Sequence, residues 1–502
     1  MLSNPVARSV VSPAGTGTGA WQGWWARPGV PVALGLLLFG VVWLTHLSYT
    51  SLSPPTDNIE QLTWVHSLEG GYYKHPPLPT WLFWLPAQLF GVNAWTSYAT
   101  GAAFTLGAMG VLWRLLSILR GDRYATLALL AALCVTYYNG RLYYYNHNVV
   151  LMFFVAASAA LCWKAHQTGR AVWWIALGGA LGLGALSKYQ IAVTMVCVIV
   201  FWLHQRGWRD PSRRCGLLLA ALVALLVFVP HVWWLREHDF GPIHYAMETS
   251  LGSDLGLLAR WTGSLHWVAD QLLNRAMPAW VLLACMAYAL RRRNALPAQE
   301  ERDGEPVPID ATRALLLSWG LVPLLFMPLV GLLGGAELQL QWGTPFLLFA
   351  IPAAMELASP WVAWSRTLVR PAMAVFGAIQ VLLLLLSHIT SPRGPQALQD
   401  HHWRTFDSEA LARLLQQPAR AALGGKICLV TGPAALAGAL ALELSDRPKV
   451  LIDGRYDYSP WVPPELIVQC GALELNRGTP LPGGSAVGPA FPNLSWRARP
   501  RL

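Results

Sequence analysis

Eleven apolar runs, near residues 31–48, 96–119, 123–140, 148–165, 171–187, 189–205, 216–235, 278–290, 313–333, 344–358 and 370–390, dominate this 502-residue chain. Water cannot accommodate so many in one domain, whereas a bilayer needs about 20 apolar residues per helix to be crossed. The composition agrees, with 54% hydrophobic residues against 12% charged. The expected fold is an α-helical polytopic membrane protein with about 11 transmembrane helices. The net charge of +10 would point to nucleic acid in a soluble protein. Here the arginines gather in short loops between apolar runs, the pattern of loops kept on the cytoplasmic side. The 26 tryptophans suit membrane interfaces and sugar-stacking surfaces alike and do not discriminate.

Charge also orients the chain. Arg8 and Arg27 precede the first run, Arg120 and Arg123 flank the next turn but one, Arg213 and Arg214 follow the sixth run, and Arg291, Arg292 and Arg293 follow the eighth. Every second loop is basic, which places the N-terminus in the cytoplasm. Residues 1–30 then form a cytoplasmic tail before an uncleaved first anchor, and 31–390 form the membrane domain. Segments 49–95, 139–147, 236–277, 334–343 and 391–502 share the outer face. Residues 391–502 carry more Pro and Gly and read as a small α/β domain: strand Lys426 to Val430, helix Pro433 to Leu444, strand Val450 to Asp453, and a loose tail after Gly478. Its Cys428 and Cys470 can pair in an oxidising compartment.

Most of the chemistry lies in residues 51–82, SLSPPTDNIEQLTWVHSLEGGYYKHPPLPTWL. Asp57 and Glu60, three apart, share one face of a helix. The same pair fits a capping box, with Asp57 as N-cap and Glu60 at N3. Ile59, Leu62, Val65 and Leu68 recur near helical spacing, so Ile59 to Glu69 is expected to lie on the membrane surface until Gly70-Gly71 breaks the helix. Tyr72, Tyr73, Lys74 and His75 then present aromatic rings and two phosphate partners before Pro76-Pro77 fixes an extended backbone. Residues 79–92 read as another interfacial or re-entrant piece.

This stretch resembles the first outer loop of the family 39 polytopic glycosyltransferases, which have the GT-C fold and include protein O-mannosyltransferases and aminoarabinose transferases acting on lipid A. Their acidic motif is usually Asp-Glu; here it reads Asp57-Asn58-Ile59-Glu60, so either Asp57 or Glu60 takes the catalytic place. The later Gly71-Tyr72-Tyr73-Lys74-His75-Pro76-Pro77-Leu78 is the closer match. The resemblance implies a GT-C fold with juxtamembrane helices in the catalytic outer loop 49–95. It also implies an inverting transfer of sugar from a polyprenyl phosphate to lipid A, another envelope glycan or protein, outside the bacterial inner membrane. A carboxylate, Asp57 or Glu60, would act as base, and Lys74, His75 and Lys188 would stabilise the departing phosphate.

Other outer-face residues join the candidates. Arg141 is a phosphate partner and Asn146 or Asn148 a sugar-hydroxyl partner, against a plain reading as aromatic belt and helix cap. Lys188, a lysine on the outer side, needs an anion. Tyr73 is a stacking surface, and Glu337 is a third acid or a solvated carboxylate. Pro230-His231-Val232-Trp233-Trp234 matches the end of a span in bacterial members of the family, without a catalytic role. His231, His238 and His244 lack a recognised zinc spacing, so no cofactor is assigned, and a divalent metal ion stays open. The rival reading, a transporter or flippase of lipid-linked sugars, would set charges near the midplane and show repeated halves, neither of which this sequence shows.

Overall fold

A computed structural model describes residues 29–251, 255–294 and 310–501. Nearly all of the tail read over residues 1–30, with Arg8 and Arg27, lies outside the described residues. Each of the eleven apolar runs contains a helix. Six of the described helices are long and apolar enough to cross a membrane: Gly29–Tyr49, Ala94–Arg120, His147–Thr168, Pro211–Glu237, Ala311–Gly334 and Val369–Ile389. Helices Leu257–Arg275 and Met277–Arg292, bent by 56° at a short break, add a seventh if they form one span. Length is what separates the expected eleven from these. Ala171–Ser187, Tyr189–His204 and Leu347–Ala358 are apolar but short of the roughly 30 Å hydrocarbon thickness at 1.5 Å per residue. The segment 236–277, read as an outer loop, holds the helix Leu257–Ala269 with Leu257, Leu258, Trp261 and Leu265 exposed.

Helix Thr56–Trp64 is shorter than expected, and its N-cap is Pro55 without a side-chain cap, so the capping box does not form. Asp57 sits one residue inside the first turn, where the helix dipole favours a carboxylate. Gly70-Gly71 does not end this helix. The glycines admit the Trp234 ring: a Cβ on Gly71 would lie 2.4 Å from it. The helix does not lie on lipid either. Seven of its nine residues are buried, because the C-terminal domain sits on it. By contrast, helix Leu78–Phe90 leaves Trp81, Trp84, Leu85, Leu89 and Phe90 exposed, as an interfacial helix does.

The C-terminal domain is a five-stranded mixed sheet. Strands β1 (Leu429–Gly432), β2 (Lys449–Ile452), β3 (Ala472–Arg477), β4 (Ser485–Ala486) and β5 (Leu494–Arg499) take the order β2-β1-β3-β5-β4. β1 runs parallel to both neighbours, and helix Ala434–Glu443 provides the crossover to β2. The tail after Gly478 is not loose. β5 pairs antiparallel with β3 along six residues, and Arg497 and Arg499 both reach Glu474, at 2.6 and 2.8 Å. Helix Ser408–Leu423 packs through Leu411, Leu415, Ala419 and Leu423, one stripe at helical spacing.

Docking of this domain uses backbone and side-chain bonds: Leu52 N–H to the Arg404 carbonyl at 2.8 Å, Ser53 Oγ to the Phe406 carbonyl at 2.8 Å, and Trp403 Nε1 to the Pro54 carbonyl at 2.9 Å. Gly438 then lets the crossover helix meet the loop helix directly, since a Cβ there would come 2.4 Å from Ile59 Cγ2. Gly438→Leu is therefore expected to overpack this contact and destabilise the protein by about 1–3 kcal/mol. Thermal unfolding in detergent measures the shift, and an unchanged melting temperature would contradict the direct contact.

Candidate active site

The site is built around Asn58, whose side chain is fully buried and makes three bonds. Nδ2 donates to Ser97 Oγ and to the Tyr143 carbonyl, both at 2.9 Å, and Oδ1 accepts from the Tyr145 N–H at 3.0 Å. The loop helix is thereby tied to the start of helix Ala94–Arg120 and to the loop entering helix His147–Thr168. An unmet bond at such a position costs about 1–3 kcal/mol, so the register is strongly specified.

That register separates the two acids. Asp57 is part-buried and accepts one bond, from Asn146 Nδ2 at 2.8 Å. Asn146 also caps its helix by accepting from the Val149 N–H at 3.0 Å, so capping and site contact coexist in one side chain. Glu60 is instead ion-paired to Lys74, with 11% and 14% of their side chains exposed. Burial pushes the Glu60 carboxyl up, against the pull of Lys74. Burial also works against the Lys74 ammonium, but Glu60 and the Tyr73 and Tyr245 hydroxyls outweigh it and hold Lys74 well above its usual range.

The Tyr72 to His75 turn closes on itself through two backbone bonds, Tyr72 N–H to the His75 carbonyl at 2.9 Å and the reverse at 3.2 Å. Tyr72 stacks on Trp64 at 4.7 Å between centroids, which fixes the turn to the loop helix. Tyr73, at its tip, stacks on Tyr458 of the C-terminal domain at 4.1 Å and 15°, and meets Tyr245 edge-on at 5.9 Å. The Lys74 ammonium lies 5.7 Å from both the Tyr73 and Tyr245 rings. His75 lies against His147, with centroids 3.9 Å apart. Burial, then His147, Lys74 and Lys188, push His75 well below its usual range, so it stands as a neutral ring and not as the cation expected.

Lys188 donates to Asn148 Oδ1 at 2.6 Å and lies 5.7 Å from the Trp342 ring. Burial pushes the Lys188 ammonium down to about 8, against the field of the Asp57 carboxylate. Thus Asp57, Glu60, Tyr73, Lys74, His75, Asn146 and Lys188 gather at one end of the helices. Arg141 and Glu337 do not join them. They line a cavity of 680 Å³ together with Arg260, His266 and Arg275. Arg141 is held there between the Tyr137 and Tyr144 rings, 5.5 Å from each.

His231 supports the site from outside: its Nδ1–H donates to the Gly70 carbonyl at 2.7 Å, its Nε2 pairs with Tyr189 Oη at 2.8 Å, and its ring stacks on Trp234. Among the described residues, no group of three or more His, Cys, Asp or Glu side chains is placed to hold a metal ion. Cys428 and Cys470 are free thiols. Asn58, His147, Tyr245 and Tyr458 were not legible as site residues. Asn58 stood inside the acidic motif and His147 between Asn146 and Asn148, but Tyr458 and Tyr245 depend on tertiary docking that leaves no local signal.

Residues 74–234 match the family described as dolichyl-phosphate-mannose-protein mannosyltransferase. The lipid A galacturonosyltransferase RgtD of Rhizobium johnstonii is 24% identical over 245 residues, 47% of this chain and 49% of that protein. The undecaprenyl phosphate-alpha-4-amino-4-deoxy-L-arabinose arabinosyl transferase of Erwinia tasmaniensis is 26% identical over 284 residues, 53% of this chain and 47% of that one. The matches thus span about half the length of these curated relatives. The crystal structure of ArnT from Cupriavidus metallidurans bound to undecaprenyl phosphate superposes with a TM-score of 0.63 at 17% identity, covering 93% of this chain and 97% of that one. Asp57 and Glu60 precede the matched segment, which begins at Lys74. The chain is a multi-pass membrane protein of the GT-C fold, ArnT-like in architecture, in which residues 74–234 are similar to that mannosyltransferase family model.

Proposed function

We propose that this protein is an inverting glycosyltransferase that moves a sugar from a polyprenyl phosphate to an acceptor on the outer face of the bacterial inner membrane, with its N-terminus cytoplasmic. The observation that carries the reading is the division of labour between the two acids: Glu60 is held by Lys74, while Asp57 is part-buried with a single hydrogen bond from Asn146. An acceptor oxygen attacks the anomeric carbon, its proton passes to the Asp57 carboxylate, and the bond from that carbon to the phosphate oxygen breaks. The electron pair leaves with the phosphate, which Lys188 and Lys74 stabilise. Glu60 orients Lys74 and is not the base.

Two buried ring nitrogens, His147 Nε2 and Trp64 Nε1, find no hydrogen-bond partner among the described residues, and their rings lie 5.9 Å apart. The similarity to a lipid A galacturonosyltransferase makes an envelope glycolipid the favoured acceptor, with protein as the alternative. No feature of the described residues favours a transporter, whose charges would lie at the midplane of the spans.

Asp57→Asn keeps the Asn146 contact but removes the base. In purified protein supplied with undecaprenyl-phosphate sugars, release of free undecaprenyl phosphate is expected to fall by about 10²–10⁴-fold with an unchanged melting temperature. Equal turnover would remove Asp57 from the mechanism, and a silent wild type across a panel of sugars would remove the transferase reading.

The Tyr73–Tyr458 stack implies a second outcome. Tyr458→Ala is expected to lower kcat/KM by roughly tenfold by freeing the tip of the turn, since an aromatic pair is worth about 0.5–1.5 kcal/mol beyond its buried area. Tyr458→Phe should restore it, and steady-state kinetics on the two variants would show if the stack is irrelevant.

A further inference from the structure

At the end of the helices opposite Asp57, helices Ala94–Arg120 and His147–Thr168 enclose a groove of 590 Å³. Both helices begin on the side of the catalytic loop, at Ala94 and His147, so their last turns lie on the other membrane face. Gly107, Gly110 and Ala160 open the deep part of the groove, and Trp163 walls it. A Cβ on Gly110 would meet nothing within 4 Å, so space there is open to the surroundings and not filled by a neighbouring helix.

Two cations stand at the mouth, Arg114 and Lys164, both exposed. Neither makes a hydrogen bond or ion pair through its charged group to another described residue; Lys164 only lies 5.7 Å from the Trp173 ring. Arg114 is six residues before the helix end at Arg120, about 9 Å along the axis. Ile118, one turn beyond it, is 59% exposed and apolar, so Arg114 is set inside the membrane edge and not in water. A cation at that depth is costly unless an anion meets it or it snorkels outward. The neighbouring Arg120, by contrast, has its own carboxylates, Glu356 at 2.9 Å and Asp310 at 3.1 Å.

We infer that this groove is a binding site for an anionic membrane lipid of the leaflet opposite the active site, one acyl chain lying along Gly107, Gly110 and Ala160 and the phosphate bridging Arg114 and Lys164. The charge pattern selects the class of lipid. Two cations without a carboxylate favour a headgroup of net negative charge over a zwitterion, which brings its own cation. The bilayer supplies this ligand in abundance, and the site lies apart from every residue placed in the transfer reaction, so it stands or falls independently of that reading.

The test uses the full-length protein in detergent, titrated with mixed micelles of phosphatidylglycerol or phosphatidylcholine, with bound lipid counted by native mass spectrometry. Wild type is expected to retain phosphatidylglycerol in preference to phosphatidylcholine. The preference should fall by roughly fivefold for each of Arg114→Gln and Lys164→Gln. Gly110→Leu, which fills the groove and leaves both charges, should reduce retention of the tightly held lipid as well. Millimolar inorganic phosphate should not displace the lipid, because the acyl chain provides part of the affinity. Equal retention of the two lipids by wild type, unchanged preference in both charge variants, or full displacement by inorganic phosphate would each overturn the assignment.

Discussion

Everything at the end of the protein that carries the C-terminal domain depends on where the nine-residue helix Thr56–Trp64 is held, and Asn58 holds it. Its amide binds Ser97 at the head of one span and the Tyr143 and Tyr145 backbone at the entrance to another. With those bonds made, Asp57 and Asn146 face each other and Glu60 turns toward Lys74. The C-terminal domain adds the opposing surface, with Gly438 on Ile59 and Tyr458 on Tyr73. A short helix that would be marginal alone is thus clamped from both sides.

The chemical difference between the two acids follows from this geometry and not from their type. Three residues apart on one helix, they share a face, yet one meets an amide and the other an ammonium. A carboxylate already paired to a buried lysine is poorly placed to take a proton, because leaving that lysine uncompensated costs several kcal/mol. A carboxylate with one neutral partner keeps a lone pair for the acceptor. His75 is the complementary case: crowded by burial and positive charge, it is neutral and serves by packing its ring on His147, while Lys188 supplies the cation.

The fold class and the clustering of residues from the loop after the first span were legible because bilayer spans and the Tyr-Tyr-Lys-His-Pro-Pro-Leu segment are local features of the chain. So were seven of the nine site candidates, which the structure brings together. Arg141 and Glu337 were chosen for residue type at the same membrane face, and one face holds room for more than one cavity. Helix length alone leaves the span count at six or seven, yet the short helix Ala171–Ser187 runs from the far end of helix His147–Thr168 back to Lys188 in the site, so length does not decide which runs pass through the bundle. The order of the tail after Gly478 was hidden for another reason: β5 owes its place to pairing with β3 and to Glu474, both remote in sequence. The same holds for Tyr458, whose role exists only once the domain is docked.

The central claim is that a polyprenyl phosphate binds where Asp57, Lys74 and Lys188 meet, and photocrosslinking tests it most directly. A polyprenyl phosphate carrying a photoreactive group next to its phosphate would be bound to the purified protein, irradiated, and the adducts mapped by peptide mass spectrometry. The account predicts adducts on the Tyr72 to His75 turn, on the start of helix His147–Thr168 and near Lys188, competed away by undecaprenyl phosphate. Adducts confined to the cavity of Arg141, Arg260 and Glu337, or spread along the lipid-facing helices without competition, would contradict it.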